Sequence, residues 1–310
     1  MNLQDLAQPG VLSDPGTFAH YLTYVMREEA LDTIDGLRDQ LAAILGIEKA
    51  IRQKDLSARL TVSIGVSASA WDIVFPDILR PDELHPFQAM ADGPREFPAT
   101  PGDIFLMIKS ERMDLNFQAA RYINGILAPV SELTEDIQGF RYLDNRDLIN
   151  FVDGTENPQG IDRSIAVLVN DDADIHRGGS YLTVQRYIDH LDLWEKEAQE
   201  YQEQVIGRSR MDNVEMPDSV KPPWAHTAKS KVEDEGEELK MFRQNRPWGN
   251  VTEHGTMFIG FAASPAVIEA SLDQMITTSE DGTYDRLLDF ASAQTGCNFF
   301  MPSKTLLDEL

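Results

Sequence analysis

Two unlike features of this sequence recur at nearly the same interval, and that recurrence constrains the fold more than composition does. Tyr-Leu-Thr stands at 21–23 and again at 181–183, an offset of 160 residues. An apolar strand-like run that ends in serine and passes into a helical pattern stands at Ser110 and again at Ser264, an offset of 154. Two features in register point to an ancient duplication. Each half reads strand, helix, strand, then strand, helix, strand, the order of a ferredoxin-like βαββαβ unit. The predicted fold class is therefore α+β, built from two ferredoxin-like halves. The boundary is expected in the turn-rich stretch Asp153–Gly160, giving an N-terminal domain 1–158 and a C-terminal domain 159–310.

The local patterns behind that reading are specific. Residues 1–16 carry Pro9-Gly10 and Pro15-Gly16 and read as an irregular arm. Tyr21–Met26 is rich in β-formers, and a helix follows with Leu31, Ile34, Leu37 or Leu41, and Leu45 on its buried face. Leu60, Val62, Ile64 and Val66 alternate with small polar residues, the pattern of a half-buried strand. A loop holding six prolines between Pro76 and Pro101 precedes a strand over Asp103–Ser110. The next helix is expected to bury Met113, Phe117, Ala120 and Ile123. In the second half a strand opens at Tyr181, and Trp194, Ala198, Tyr201 and Val205 mark the helix after it. Thr256–Ala263 is a strand ending in Ser264-Pro265, and Ile268, Leu272 and Met275 continue as a helix whose first turn holds the proline.

Charge and composition remove whole classes of function. Asp plus Glu number 52 against 27 Lys plus Arg, a formal net charge of −25, which repels phosphate backbones and anionic membrane surfaces. No apolar run approaches the ~20 residues of a membrane span, and no basic-then-apolar leader is visible. Cys297 is the single cysteine, so no internal disulfide and no multi-cysteine metal site can form. These features lead us to expect a soluble protein of a reducing compartment, the cytoplasm. Nucleotide-loop, metalloprotease and nucleophile-elbow motifs are absent. The acidic runs Asp171-Asp172-Asp174 and Glu233-Asp234-Glu235-Glu237-Glu238 lack the ligand order of a calcium loop and read as solvated loops.

Three segments are left to carry chemistry. Of the six histidines, none is paired at helical spacing, but one alone suffices as the axial ligand of a haem. His226, in Pro222-Pro223-Trp224-Ala225-His226, is the candidate, although a lone loop histidine is more often a surface residue. Asn150-Phe151-Val152-Asp153-Gly154-Thr155-Glu156-Asn157-Pro158 reads by itself as a tight turn. Met241-Phe242-Arg243-Gln244-Asn245 places an arginine after an apolar pair.

Together, in this order and on a duplicated chain of this length, the three segments resemble the dye-decolorising (DyP-type) haem peroxidases, over residues ~18–304. Members carry Gly-x-x-Asp-Gly; here Asp153-Gly154 match, and Asn150 replaces the first glycine. The resemblance implies one haem b per chain, bound in the C-terminal half, with His226 as proximal iron ligand, Arg243 as distal arginine and Asn245 as a polar distal residue. It implies that Arg208 contacts a haem propionate. Asp289, flanked by Leu288 and Phe290, is taken as the carboxylate partner of His226, with Asp285 as the alternative. Phe261, with Met257 and Phe258, is expected to wall the distal pocket.

Those roles are chemically coherent. Asp153 would move a proton from H2O2 to its outer oxygen, with an optimum on the acid side set by its own pKa. Arg243 would stabilise the departing hydroxide. The expected reaction is reduction of H2O2 with oxidation of small aromatic reductants such as dyes and phenols. Eight Tyr and four Trp offer surface electron routes, and the sequence selects none. A homo-oligomer is expected from the resemblance, with no nucleic acid, no membrane, and no tail for docking inside a nanocompartment. The alternatives are a porphyrin- or haem-handling protein, which would not need Asp153 with Arg243, a chlorite-dismutase-like enzyme, and an acidic binding module without haem.

Overall fold

The computed structural model describes residues 2–28, 34–171 and 175–310, without the side chains of 34–36. Ten strands form its main sheet: β1 (Phe18–Met26), β2 (Thr61–Val66), β3 (Ile104–Ser110), β4 (Ser131–Phe140), β5 (Ser180–Asp189), β6 (Phe242–Arg243), β7 (Arg246–Gly249), β8 (His254–Ala262), β9 (Ala291–Ala293) and β10 (Cys297–Met301). Their order is β6-β8-β7-β4-β1-β3-β2-β10-β5-β9, and a further pairing of β8 with β5 closes the sheet into a barrel. Within it the first half runs β4-β1-β3-β2, and the second places β5 between β10 and β8.

Closure explains why these strands lack clean alternation. Tyr21, Phe105, Met107, Leu182, Val184, Met257, Ile259, Phe261, Phe299 and Met301 meet in one cluster on the inner face. The outer face of the first half is covered by α3 (Ile34–Arg52) and α5 (Met113–Leu127) and packs Leu22, Tyr24, Val62, Ile64, Leu106 and Ile108 against them. β2 is thus buried on both faces rather than half-buried: Ser63 is inaccessible, and a Cβ on Gly65 would fall 2.9 Å from Met301 Sδ. Its small residues make room for what lies inside the barrel.

That occupant is the arm. Residues expected to be irregular form two one-turn helices, α1 (Leu3–Leu6) and α2 (Pro9–Leu12), and Ala7 and Val11 join the inner cluster. In α3, Leu37, Leu41 and Ile44 are buried, while Leu31 and the side chain of Ile34 lie outside the described residues. Asp172 and Asp174 lie outside them too. In α5 the buried face is Leu115, Asn116, Ala119, Ala120, Ile123 and Leu127; Met113 and Phe117, expected inside, are exposed, because the helix is rotated to put Ala119 and Ile123 against the sheet.

The remaining α-helices among the described residues are α4 (Ala68–Val74), α6 (Gly160–Val167), α7 (Leu191–Trp194), α8 (Gln199–Ile206), α9 (His226–Lys229), α10 (Pro265–Ile276) and α11 (Lys304–Leu307). The helix expected across Trp194–Val205 is broken in two, and Ala198 is the N-cap of α8. Ser264 caps α10 as its sequence suggests, its Oγ accepting from Ala266 N at 3.3 Å, a contact of about 1 kcal/mol. Among the described residues no helix is long and apolar enough to cross a membrane. The second acidic run forms an exposed hairpin, Val232–Asp234 with Glu237–Leu239.

Candidate active site

A cavity of about 950 Å³ lies against the outer face of the second half, roofed by α10 and by the segments around α8 and α9. His226, Asp153, Arg243, Asn245 and Arg208 all line it.

His226 opens α9, where Pro222 and Pro223 stiffen the approach. Its Nδ1–H donates to Asp285 Oδ2 at 2.7 Å, which leaves Nε2 for a ligand. Asp285 is fully buried, and its other oxygen accepts from Leu287 N at 2.9 Å. The carboxylate partner is therefore Asp285 and not Asp289. The reason is local: residues 286–289 form a 3-10 turn, and the Asp289 carboxylate takes up Tyr284 Oη (2.8 Å) and Arg286 Nη1 (3.2 Å) at the surface.

The Asp153 loop is held from both sides. Asp153 N donates to Asn145 O and Asn145 Nδ2 donates to Asp153 O, both at 3.1 Å. Asn150, where the family motif has glycine, has φ +75°, a left-handed conformation that asparagine tolerates. The departure from the motif thus preserves its geometry. Gly154 has φ +77°, and a Cβ there would sit 2.8 Å from Asn157 Nδ2. Asn157 is a residue the sequence reading missed. It pairs with the Arg243 backbone like a strand, donating to Arg243 O at 2.8 Å and accepting from Arg243 N at 2.9 Å. The signal was present in Asn157-Pro158, beside the motif.

From Phe242 to Arg246 buried and half-buried residues alternate: Phe242, Gln244 and Arg246 face inward, Arg243 and Asn245 the cavity. Asn245 Oδ1 accepts from Ile259 N at 3.2 Å. The same two-residue period settles the wall of β8. Thr256 and Phe258 face the cavity, whereas Phe261, expected there, is fully buried in the barrel interior with Met257 and Ile259. Arg208, after the left-handed Gly207 that ends α8, is nearly buried at the cavity edge. It donates to Glu156 (2.8 Å), to Glu215 (3.4 Å) and to Asn213 Oδ1 (3.0 Å).

Two further acids, Asp147 and Asp189, line the cavity without any motif in the sequence to mark them. Asp147 accepts from Phe151 N at 2.8 Å, and burial, with Asp153 and Asp189 nearby, holds its pKa well above the usual carboxylate range. Asp189 accepts from Thr256 Oγ1 at 3.0 Å, and burial pushes its pKa to about 7. The folded state thus binds a proton at Asp189 that the unfolded chain releases near pH ~4. The stabilisation from that proton is complete below pH ~4 and is lost as pH rises towards 7. Asp189→Asn should therefore raise thermal stability at pH 8, by up to about 4 kcal/mol, with the gain vanishing near pH 4. A set of thermal unfolding curves against pH checks this; an equal shift at both pH values would contradict it.

Comparison with known proteins identifies the family. The description "Dyp-type peroxidase, N-terminal" matches residues 8–141 and "Dyp-type peroxidase, C-terminal" matches 144–306. The chain belongs to the Dyp-type peroxidase family. A dye-decolorizing peroxidase of Rhodococcus erythropolis is 39% identical over 100% of this chain and 90% of its own. The encapsulated DyP-type peroxidase of Mycobacterium smegmatis superimposes with a TM-score of 0.93 at 38% identity, covering 98% of each chain. A DypB variant of Rhodococcus jostii RHA1, solved in complex with heme, superimposes with a TM-score of 0.92 at 38% identity over 97% of each chain. As a Dyp-type peroxidase the chain reduces peroxide, and its cavity is where that chemistry is to be sought.

Proposed function

We propose that the cavity takes haem b, one per chain, with His226 as the residue that would hold its iron and Asp153, Arg243 and Asn245 as the residues that would act on peroxide. One observation carries this reading: a histidine with one nitrogen fixed by a buried carboxylate faces the same cavity as an acid, an arginine and an amide. The donor set fits the group. Nε2 is the nitrogen left for iron, the walls include Phe258, Ile268, Leu272 and Met275, and Arg208 supplies a cation at the edge for a propionate. The R. jostii relative solved with heme supports the same cofactor.

The bound haem supplies the iron that peroxide oxidises and that reductants then restore. The protein residues manage protons and charge. Asp153 takes the proton from the inner oxygen of H2O2 and returns it to the outer one. Arg243 would stabilise the negative charge that builds on the outer oxygen, which leaves as water once Asp153 has returned the proton to it. Asn245, fixed by Ile259 N, orients the peroxide. Asp285 holds the His226 ring and strengthens it as a ligand. Dyes, phenols and other small aromatic compounds are the proposed reductants, in line with the name of the R. erythropolis relative.

The finer architecture is part of the proposal. Strand orders β4-β1-β3-β2 and β10-β5-β8-β7 support two ferredoxin-like halves, 1–158 and 159–310. The Asp153 loop then belongs to the first half by chain and to the second by contact, through Asn157 and Arg243. We also infer a cytoplasmic homo-oligomer, supported by the lone buried cysteine and by apolar surface at Phe117, Ile161 and Ile165.

The test is the absorption spectrum of the haemin-reconstituted protein before and after stoichiometric H2O2. A transient oxidised species that reductant discharges supports the reading; simple bleaching would favour haem handling. Asp285→Asn should keep haem but lose about 10- to 100-fold in peroxide reactivity, measured by stopped flow.

A further inference from the structure

Arg243 and Asn245 reach the cavity from a short strand, and what lies behind that strand decides how firmly they are held. On its inner side Lys109 extends from β3 into the barrel, where it is almost fully buried. Its Nζ, with three N–H bonds to share, lies within hydrogen-bond distance of Gly10 O (2.8 Å), Ser13 O (3.1 Å), Ser13 Oγ (3.0 Å), Asp14 O (3.1 Å) and, most closely, Gln244 Oε1. All five acceptors are neutral, so this lysine does not serve as half of an ion pair. Four of them belong to the arm, and the fifth sits between the two cavity residues.

The arm bonds the distal strand directly at Gln244 and Arg246 and is linked to Phe242 through Arg163. Gln244 Nε2 donates to Gly10 O (3.0 Å) and Val11 O (2.7 Å). Arg246 donates to Gly16 O. Arg163 lies 4.2 Å over the Phe242 ring and donates to Leu12 O (2.8 Å) and Asp14 Oδ1 (2.9 Å). At its start the arm is anchored independently, Gln8 Nε2 donating to Ile64 O (2.8 Å) and Pro302 O (3.0 Å). A buried amine in a cage of carbonyls is satisfied only while the arm is in place, so arm, lysine and Gln244 form one unit.

We propose that Lys109 is a positioning residue of the distal site: through Gln244 and the strap formed by residues 8–16, it fixes the backbone from which Arg243 and Asn245 act. The proposal rests on the peroxide-side roles given to those two residues. A displacement of about 1 Å in such groups costs on the order of 100-fold in rate, so a strap far from the reacting atoms governs the peroxide step. None of residues 8–16, Lys109 or Gln244 lines the cavity, so oxidation of the reductant should be left unchanged.

The experiment joins hydrogen–deuterium exchange of the haem-reconstituted enzyme with separate kcat/KM values for H2O2 and for reductant. Lys109→Met should raise exchange across residues 241–249 and lower kcat/KM for H2O2 by about tenfold or more, with the reductant value within about twofold. Gln244→Leu keeps the lysine, breaks the link and should act the same way. Ile123→Ala, in the separate core beneath α5, should lower Tm and leave both kinetic values unchanged. Unchanged exchange over 241–249 in both strap variants overturns the proposal, as does an Ile123→Ala variant that loses as much H2O2 reactivity for the same loss of Tm. If Arg243→Leu reacts with peroxide as wild type does, the role of that arginine falls, and the exchange data still decide the strap.

Discussion

Asp153→Asn and Arg243→Leu should each lower kcat/KM for H2O2 by about 100- to 1,000-fold, and the double variant by little more than the worse single one. In the proposed mechanism the acid moves the proton and the arginine stabilises the charge that builds on the outer oxygen, so each is useful only while the other acts. Neither substitution should disturb folding. Asp153 and Arg243 are half-buried, and the hydrogen bonds that place them run through their backbones, to Asn145 and to Asn157. The haem spectrum of the resting enzyme should therefore persist while the peroxide step slows. Stopped-flow mixing with H2O2 gives the rate for each variant. Strictly multiplicative losses would show that the two groups act independently, and a single variant with undiminished rate would remove that residue from the mechanism.

How far the sequence revealed this site depended on what kind of information each residue carries. The strand and helix order was legible because its signals are local: the β-formers of β1, the alternation in β2, the Ser264-Pro265 start of α10, the turn at Asp153-Gly154. The pairing of β8 with β5, which closes the barrel, joins residues more than seventy positions apart and leaves no local trace. The same closure misled the reading of Phe261. A strand buried on both faces shows apolar residues throughout, so Phe258 and Phe261 looked alike, and only the register puts one in the cavity and the other in the barrel. Asp289 was chosen over Asp285 because apolar neighbours suggested an inward side chain. That inference assumes regular structure, and a 3-10 turn broke the assumption by directing Asp285 inward. The arm was legible only as proline and glycine punctuation. Its role depends on Lys109 and Gln244, more than ninety residues away.

The largest single loss is expected from His226. His226→Ala removes the nitrogen proposed to hold the haem iron, and peroxide turnover should fall by at least about 1,000-fold even if haem is retained by the apolar walls and Arg208. The apoprotein should suffer as well, because the Asp285 carboxylate is fully buried and loses the donor that faces it. Leaving a buried acceptor without its donor costs about 1–3 kcal/mol. Replacing both partners by apolar residues of similar volume leaves no orphaned charge, so His226→Leu with Asp285→Leu should be more stable than His226→Ala, though equally inactive. Denaturant unfolding of the apoproteins separates the two effects. External imidazole supplies the rest of the argument. Added to His226→Gly it can occupy the vacated space beside Asp285 and should restore a histidine-like haem spectrum and part of the peroxide rate. Restoration of the spectrum without the rate would mean that the tether to α9, and not ligation alone, sets the reactivity of the site.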